Sequence, residues 1–528
     1  DCHQVFDFLY EISRQHYLRP LIMKIAKSIC LDGHEPELCD KVIENYGNIL
    51  LDSINARIFN GTRICAFMKL CPEIKYIEIE DYAKRVLADK PQSVVYPIDP
   101  LTKTLNVLSL ADIHFDALYK EGTIVYCGKT ICCRDDNVIN PLNEERAGKF
   151  GAYGSCNTNF ALMDSLMVEI DKKNKEKKFD FVYLLGDNIG LAIWEVQQKN
   201  ISEITKYIVD KISGTIGKNI PIYPAVGNHE KYVIDQFYGR EEEFLNGFAL
   251  PFKDYLTEDA YNSFRNYGYY TILVPNTNLR IISINTLLCD SFNFNLIREA
   301  SQAKTMFDFV EKTLKEAEKN NERVHLLNHM PNNHHQSTFE CTRRIKILID
   351  RYQNIITGLF SGHTHKEYLT LMKEYNSKKP IKLNFIQSSL TPSGEINPSY
   401  RIYEVENENL QVKNFYQYRL NLTESNRLNE AVWYRAYIAN EFLNVTYLNE
   451  YDKLKNINIE GDYLYHKYTE TEFANPKISD ENEIKSAKCD YETDIHEDNY
   501  SCKEVKPFQG EEFLHYMMNV VFGKWVDE

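Results

Sequence analysis

Val107-Leu-Ser-Leu-Ala-Asp112-Ile-His114 is an apolar run that ends on a carboxylate and an imidazole, and four further stretches repeat the arrangement. Phe181 to Leu185 leads into Gly186-Asp187-Asn188, and Ile222 to Val226 into Gly227-Asn228-His229-Glu230. Val324 to Leu327 leads to His329, and Ile355 to Phe360 to Gly362-His363-Thr364-His365. Apolar runs of this length read as buried strands, which puts the polar residues at strand ends where they can converge. Imidazoles, carboxylates and an amide oxygen brought to one place suit two divalent cations of the zinc or manganese type.

Outward from these strands, Phe160 to Lys173 and Ala300 to Lys319 have helical apolar spacing, and Met306, Phe309, Val310 and Leu314 form an ordinary core stripe. Ile281–Ile284, Leu383–Ile386, Tyr400–Val405 and Leu410–Phe415 read as further strands. Alternating strands and helices over residues 101–425 predict an α/β catalytic domain. Residues 426–528, with Trp433, Tyr434, Tyr437, Phe442 and Tyr447, are expected to form a C-terminal helical subdomain. At the other end, Val5, Phe8, Leu9 and Ile12, then Leu21, Ile25 and Ile29, predict an all-α unit over residues 1–72. Pro91, Pro97 and Pro100 mark residues 73–100 as a semi-rigid linker around a short helix, Ile79 to Leu87.

The 528 residues exceed one ordinary core and predict two to four domains. No apolar stretch approaches the ~18 residues of a spanning helix. Asp1-Cys2 begins the sequence without an apolar leader, as expected of a mature protein whose secretion signal has been removed. A formal charge of −15 opposes nucleic-acid binding, which requires a concentrated basic face. Protonating all 14 histidines would bring that charge to −1, so an acidic compartment would largely remove repulsion from an anionic membrane. Thirteen cysteines contain no paired C-x-x-C set, and disulfides in an oxidising compartment are the simpler reading. Sequons at Asn60, Asn200, Asn421, Asn444 and Asn499 agree with passage through a secretory route to a secreted or lysosomal location. A monomer is expected.

In order, Asp-x-His, Gly-Asp, Gly-Asn-His-Glu, a lone His and Gly-His-x-His resemble the calcineurin-like metallophosphoesterase superfamily. The resemblance implies a β-sandwich flanked by helices. It also implies that Asp112, His114, Asp187 and His365 hold one ion, and Asp187, Asn228, His329 and His363 the other. Asp187 is then the bridge, because a carboxylate has two oxygens, while Asn228 adds a neutral oxygen that limits charge. Two ions roughly 3.5–4 Å apart can trap and deprotonate a bridging water as nucleophile. His229, next to Asn228, is the expected general acid for the leaving alkoxide. Glu230 is expected to orient its neighbours, His325 to be structural, and His334 and His335 to lie in a solvated loop.

Residues 1–72 resemble the saposin family, which implies pairing of Cys2 with Cys65 and of Cys30 with Cys39, leaves Cys71 without a visible partner, and implies a lipid-interacting role. Helical unit, linker, catalytic domain and cysteine-closed extension together resemble the acid sphingomyelinase family. That likeness implies bridges Cys127–Cys132, Cys133–Cys156, Cys289–Cys341 and Cys489–Cys502. It further implies zinc-dependent hydrolysis of sphingomyelin to ceramide and phosphocholine, with the helical unit touching the membrane that presents the phospholipid. The family's histidine four residues beyond the bridging Asp is Leu191 here, and Ser393 stands near the place of an expected aromatic residue. Two alternatives accompany these departures: a related phosphodiesterase for other choline phospholipids or nucleotide derivatives, and a non-enzymatic lipid-binding protein.

Overall fold

The computed structural model describes residues 7, 10–11, 14–31, 35–56, 77–135, 144–192, 198–238, 247–298, 301–455, 472–473 and 481–503. Cys2, Cys65, Cys71 and Asn60 lie outside them.

Two six-stranded sheets form the catalytic unit. The first runs β12 (Trp433–Ile438), β11 (Val412–Leu420), β10 (Ser399–Glu406), β1 (Thr104–Leu110), β2 (Phe181–Leu184) and β3 (Ile222–Pro224). The second runs β4 (Tyr270–Leu273), β5 (Leu279–Ser283), β6 (Arg323–Leu327), β7 (Ile356–Ser361), β9 (Pro380–Ile386) and β8 (Tyr368–Lys373). β1, β2 and β3 pair in parallel, as do β5, β6, β7 and β9. Parallel strands are covered on both faces, which explains why their sequences are continuously apolar rather than alternating.

Aromatic side chains fill the space between the sheets. Tyr183 of β2 packs on Phe360 of β7 at 4.9 Å between ring centres, and Phe360 meets Tyr403 of β10 at the same distance. His325 of β6 ties the layers together: the Tyr183 hydroxyl donates to its Nδ1 at 2.6 Å, and its Nε2 donates to the Leu410 carbonyl at 2.9 Å. Burial pushes His325 down to about 4, with the Leu410 carbonyl opposing. A Tyr183→Phe change leaves that buried nitrogen without a donor and is expected to cost about 1–3 kcal/mol in urea denaturation. Because the unfolded imidazole titrates near ~6.5, the unfolded chain binds more protons than the fold between about 4 and that value. His325 therefore withdraws stability as pH falls through this window.

Helices Phe160–Glu176 and Gln198–Ile216 pack against each other beside the first sheet. Asn159 caps the former by accepting from the Leu162 amide at 2.8 Å. The Pro-rich stretch has fixed contacts on the catalytic unit. Its helix, Ile77–Leu87, lies on helix Phe339–Arg351, with Arg85 bidentate on Glu311 at 2.6 and 2.8 Å. Lys90 then reaches Asp350 at 2.6 Å.

The region around Trp433 differs from its expected helical form, because Trp433–Ile438 is strand β12, paired antiparallel with β11. Its aromatic residues suit a pleated, half-buried edge, and Tyr437 reaches inward to the Glu367 carboxylate. Helices Glu481–Glu492 and His496–Cys502 follow further along the chain. Helices Arg19–Cys30, Pro36–Val42 and Asn48–Asn55 form the N-terminal unit, whose Glu35 accepts from the Thr130 amide of the catalytic unit. Disulfides join Cys30–Cys39, Cys127–Cys132, Cys133–Cys156, Cys289–Cys341 and Cys489–Cys502. Among the sequons, Asn200 and Asn444 are exposed, as is Asn421, whose side chain caps helix Leu422–Leu428. The Asn499 amide is buried and donates to Asp490 and Thr493, so it is engaged inside the fold.

Candidate metal centre

The C-terminal ends of β1, β2 and β3 from one sheet meet those of β6 and β7 from the other. Asp112 and His114 follow β1, Asp187 follows β2, Asn228 and His229 follow β3, His329 follows β6, and His363 and His365 follow β7. The strands stop where the backbone turns sharply: Asp112, His114, Asp187, His363 and His365 all have φ between 45° and 74°. Side chains rarely adopt this left-handed region, and its repetition at one site marks backbone held by its surroundings for function. Gly186 and Gly227 permit the close approach. A Cβ on Gly186 would lie 2.8 Å from His329 Nδ1, and one on Gly227 would lie 2.2 Å from Asp187 Oδ1.

Donor atoms gather in three overlapping groups: Asp112, His114 and His365; His114, Asp187 and His229; and Asp187, His329 and His363. Asp187 and His114 each belong to two of them. The Asp187 Oδ2 lies 3.1 Å from His329 Nε2 and 3.6 Å from His114 Nε2. Asn228 Oδ1 lies 3.0 Å from His329 Nε2 and 3.1 Å from His363 Nδ1. All these ligand candidates are buried except His365, whose side chain is 13% exposed.

Tautomers follow from the outward-facing ring nitrogens. His114 Nδ1 donates to the Ile189 carbonyl at 2.8 Å, and His329 Nδ1 donates to the Leu185 carbonyl at 2.7 Å. In its neutral form each ring then turns an Nε2 lone pair inward. His114 Nε2 faces His365 Nε2 at 2.9 Å. Lone pairs and carboxylate oxygens pointed at one another repel unless positive charge lies between them, so the donor set fits two divalent cations.

The electrostatics agree. Burial holds His114 and His363 well below the ordinary imidazole range and His365 near about 4, so all three are neutral donors. Burial works against protonation of His329 too, yet Asp187, Asp112 and Glu230 raise it to about 10. Asp187 is held well below the usual carboxylate range: burial works to raise it, but His329, His229 and His114 outweigh that. The centre attracts positive charge, whether proton or metal.

His229 is buried within the second of these groups. Its amide donates to Asp187 Oδ1 at 2.9 Å, its ring lies edge-on to His114 at 4.6 Å, and its Nε2 is 4.0 Å from Asp187 Oδ2. Burial lowers its pKa, with Asp187 opposing.

Supporting residues surround the donors. Glu230 accepts from the amides of Gly227 and Asp187 at 2.7 and 2.8 Å and from that of Asn188 at 2.5 Å, which pins the two turns together. Its burial raises its carboxyl to about 7. Gln336 Oε1 accepts from His363 Nε2, and Asp235 donates its amide to the Asn228 carbonyl at 3.2 Å. Neither Gln336 nor Asp235 carries a sequence signal, since each sits in an irregular loop with no motif. His334, expected in a solvated loop, lies edge-on to His363 at 4.4 Å, while His335 beside it is exposed.

Residues 105–367 match the calcineurin-like phosphoesterase family. The chain is 27% identical over 487 residues to sphingomyelin phosphodiesterase A of Dictyostelium discoideum, covering 86% of this chain and 82% of that protein. Sphingomyelin phosphodiesterase B of the same organism is 26% identical over 479 residues, with 86% and 74% covered. The cyclic GMP-AMP phosphodiesterase SMPDL3A of Homo sapiens is 26% identical over 344 residues, with 62% and 73% covered. A donor set fit for two metals at the sandwich's strand ends, together with these matches, places residues 105–367 in the calcineurin-like metallophosphoesterase superfamily, and the chain is homologous at moderate identity to sphingomyelin phosphodiesterases.

Proposed function

We propose that the chain is a zinc-dependent acid sphingomyelin phosphodiesterase that releases phosphocholine and leaves ceramide in the bilayer. The observation that carries this reading is the buried two-ion donor set in a chain related over 86% of its length to sphingomyelin phosphodiesterases. Asp112, His114, Asp187 and His365 would hold one ion, and Asp187, Asn228, His329 and His363 the other. Bound there, two zinc ions supply activated water and neutralise charge on the phosphoryl oxygens.

The chain's own residues do the rest. Asp187 turns Oδ2 to the His329 and His114 nitrogens while its Oδ1 accepts the His229 amide, and Glu230 holds the turn by accepting from the Asp187 amide. His229 stands beside the bridge without a necessary place in either ligand set, and it delivers a proton from its imidazole to the leaving ceramide oxygen. The burial that lowers its pKa makes it a stronger acid than a free imidazole.

The N-terminal helices suit a saposin-like role at the membrane. Tyr17, Leu21 and Ile25 recur every fourth residue and are 76%, 54% and 54% exposed, which gives an apolar stripe that water does not favour. Five disulfides among the described residues suit a secreted or lysosomal location.

A second reading, hydrolysis of other choline phospholipids or nucleotide derivatives, draws on Leu191 and on the relationship to SMPDL3A. The test is phosphocholine release from sphingomyelin liposomes at pH ~5, below the ordinary imidazole pKa. Release by zinc-loaded protein, lost with chelator and regained with zinc, is the expected result. No release from liposomes beside turnover of cyclic GMP-AMP would transfer the assignment to the second reading.

A further inference from the structure

His363 is held differently from its neighbours. His114 and His329 each give the outward ring nitrogen to a backbone carbonyl and turn Nε2 toward the centre. His363 is reversed: Nδ1 points inward, 3.1 Å from Asn228 Oδ1 and 3.2 Å from His329 Nε2, and Nε2 points outward to Gln336 Oε1. Its outward partner is thus a side chain, which a substitution can remove. We propose that Gln336 is a positioning residue that commits His363 to coordination through Nδ1 and thereby sets the strength of the second ion site. The proposal rests on the dimetal reading above.

An imidazole whose tautomer is free can turn either nitrogen inward, and ordering it at binding weakens the site. A fixed outward acceptor removes that freedom and raises the basicity of the inward nitrogen. Gln336 is built for the task, being 3% exposed and fastened on both sides along its backbone. The Ser291 amide donates to its carbonyl at 2.8 Å, and the Thr338 amide donates to the Cys289 carbonyl at 2.8 Å. Ser337 bridges Asp290, and the Cys289–Cys341 disulfide closes the same loop. The backbone that carries Gln336 is therefore held in place beside His363.

A neutral amide also tunes the site. A carboxylate at the same place would draw the Nε2 proton more strongly and make Nδ1 a better donor. Gln336→Glu therefore should bind the second ion at least as tightly as the native chain, and Gln336→Leu, of similar size but with no acceptor, should bind it less tightly.

The experiment titrates zinc alone into metal-stripped protein against a chromophoric chelator, for the native chain, Gln336→Leu and Gln336→Glu. Unfolding of each stripped protein is followed in parallel. Expected are two sites in the native chain, one of them weakened ~10–100-fold in the Leu variant and restored in the Glu variant, with the other site unchanged. Two native-strength sites in a folded Leu variant would overturn the assignment of Gln336 while leaving the dimetal centre in place. Equal weakening at both sites, or equal weakening by Leu and Glu, would make Gln336 a packing residue and overturn it as well. A native chain that takes up no zinc would remove the dimetal reading first and this inference with it.

Discussion

An Asp187→Ala variant is expected to lose phosphodiester hydrolysis by ~10³–10⁴-fold, because metal assistance stabilises a phosphoryl transition state by several kcal/mol and each ~1.4 kcal/mol is a factor of ten. The effect is large because three donor relationships fail together. Asp187 Oδ2 faces His329 and His114, and Oδ1 accepts the His229 amide, so alanine removes the acid that both ion sites share and frees the turn carrying His229. His329, raised to about 10 by carboxylates that include Asp187, would also lose its main source of negative potential. Elemental analysis should find less than one zinc per chain, and kcat at saturating liposomes should fall with it. Two zinc ions per chain and unaltered kcat would remove Asp187 from the bridging position.

His229→Ala should leave the zinc content intact yet lower kcat on a lipid diester by ~10²–10⁴-fold, the range for removing a positioned general acid. Alanine keeps the backbone amide that donates to Asp187, so the turn is preserved. The leaving group distinguishes the role. A nitrophenyl diester departs without a proton and should lose far less than a ceramide oxygen, which must be protonated. Full activity of the variant on sphingomyelin would eliminate His229 as the acid. The sign of the pH dependence follows. Burial lowers His229 below the ordinary imidazole value, so the protonated acid is present at low pH and the rate falls as pH rises through that lowered value.

The convergence of these polar side chains was readable from sequence for a local reason. Each donor sits within a few residues of a short apolar strand, and such strands end at the same edge of a parallel sheet, so proximity in space follows from position along five separate runs. Apolar runs do not say which sheet a strand joins. Nothing in β6 or β7 announces that they belong to the sheet opposite β1 and β2, and only the packed sandwich brings His329 and His363 to Asp187. Gln336 and Asp235 act through contacts made by loops, and a lone Gln or Asp in a loop has no periodicity to betray it. Trp433–Ile438 was misread because aromatic residues serve amphipathic helices and edge strands alike, and pairing with β11 decided the matter. Glu230 was correctly expected to be an orienting group, because its place directly after Asn228 and His229 leaves the carboxylate within reach of neighbouring amides.

The loop after His329 is supported by chain made much later. Asn332 and Asn333 donate their side-chain amides to the Asp494 and Asp490 carbonyls at 2.6 and 3.0 Å, and Lys346 reaches the Asp494 carboxylate at 2.8 Å in a buried pair. Asp494 follows Asn332 by 162 residues. At ~5–20 residues per second of synthesis, that separation is on the order of 10–30 s during which Asn332, Asn333 and Lys346 have no such partners. A nascent chain can form both sheets before the loop after His329 gains these partners, so that loop is completed only after the segment around Asp494 has been made.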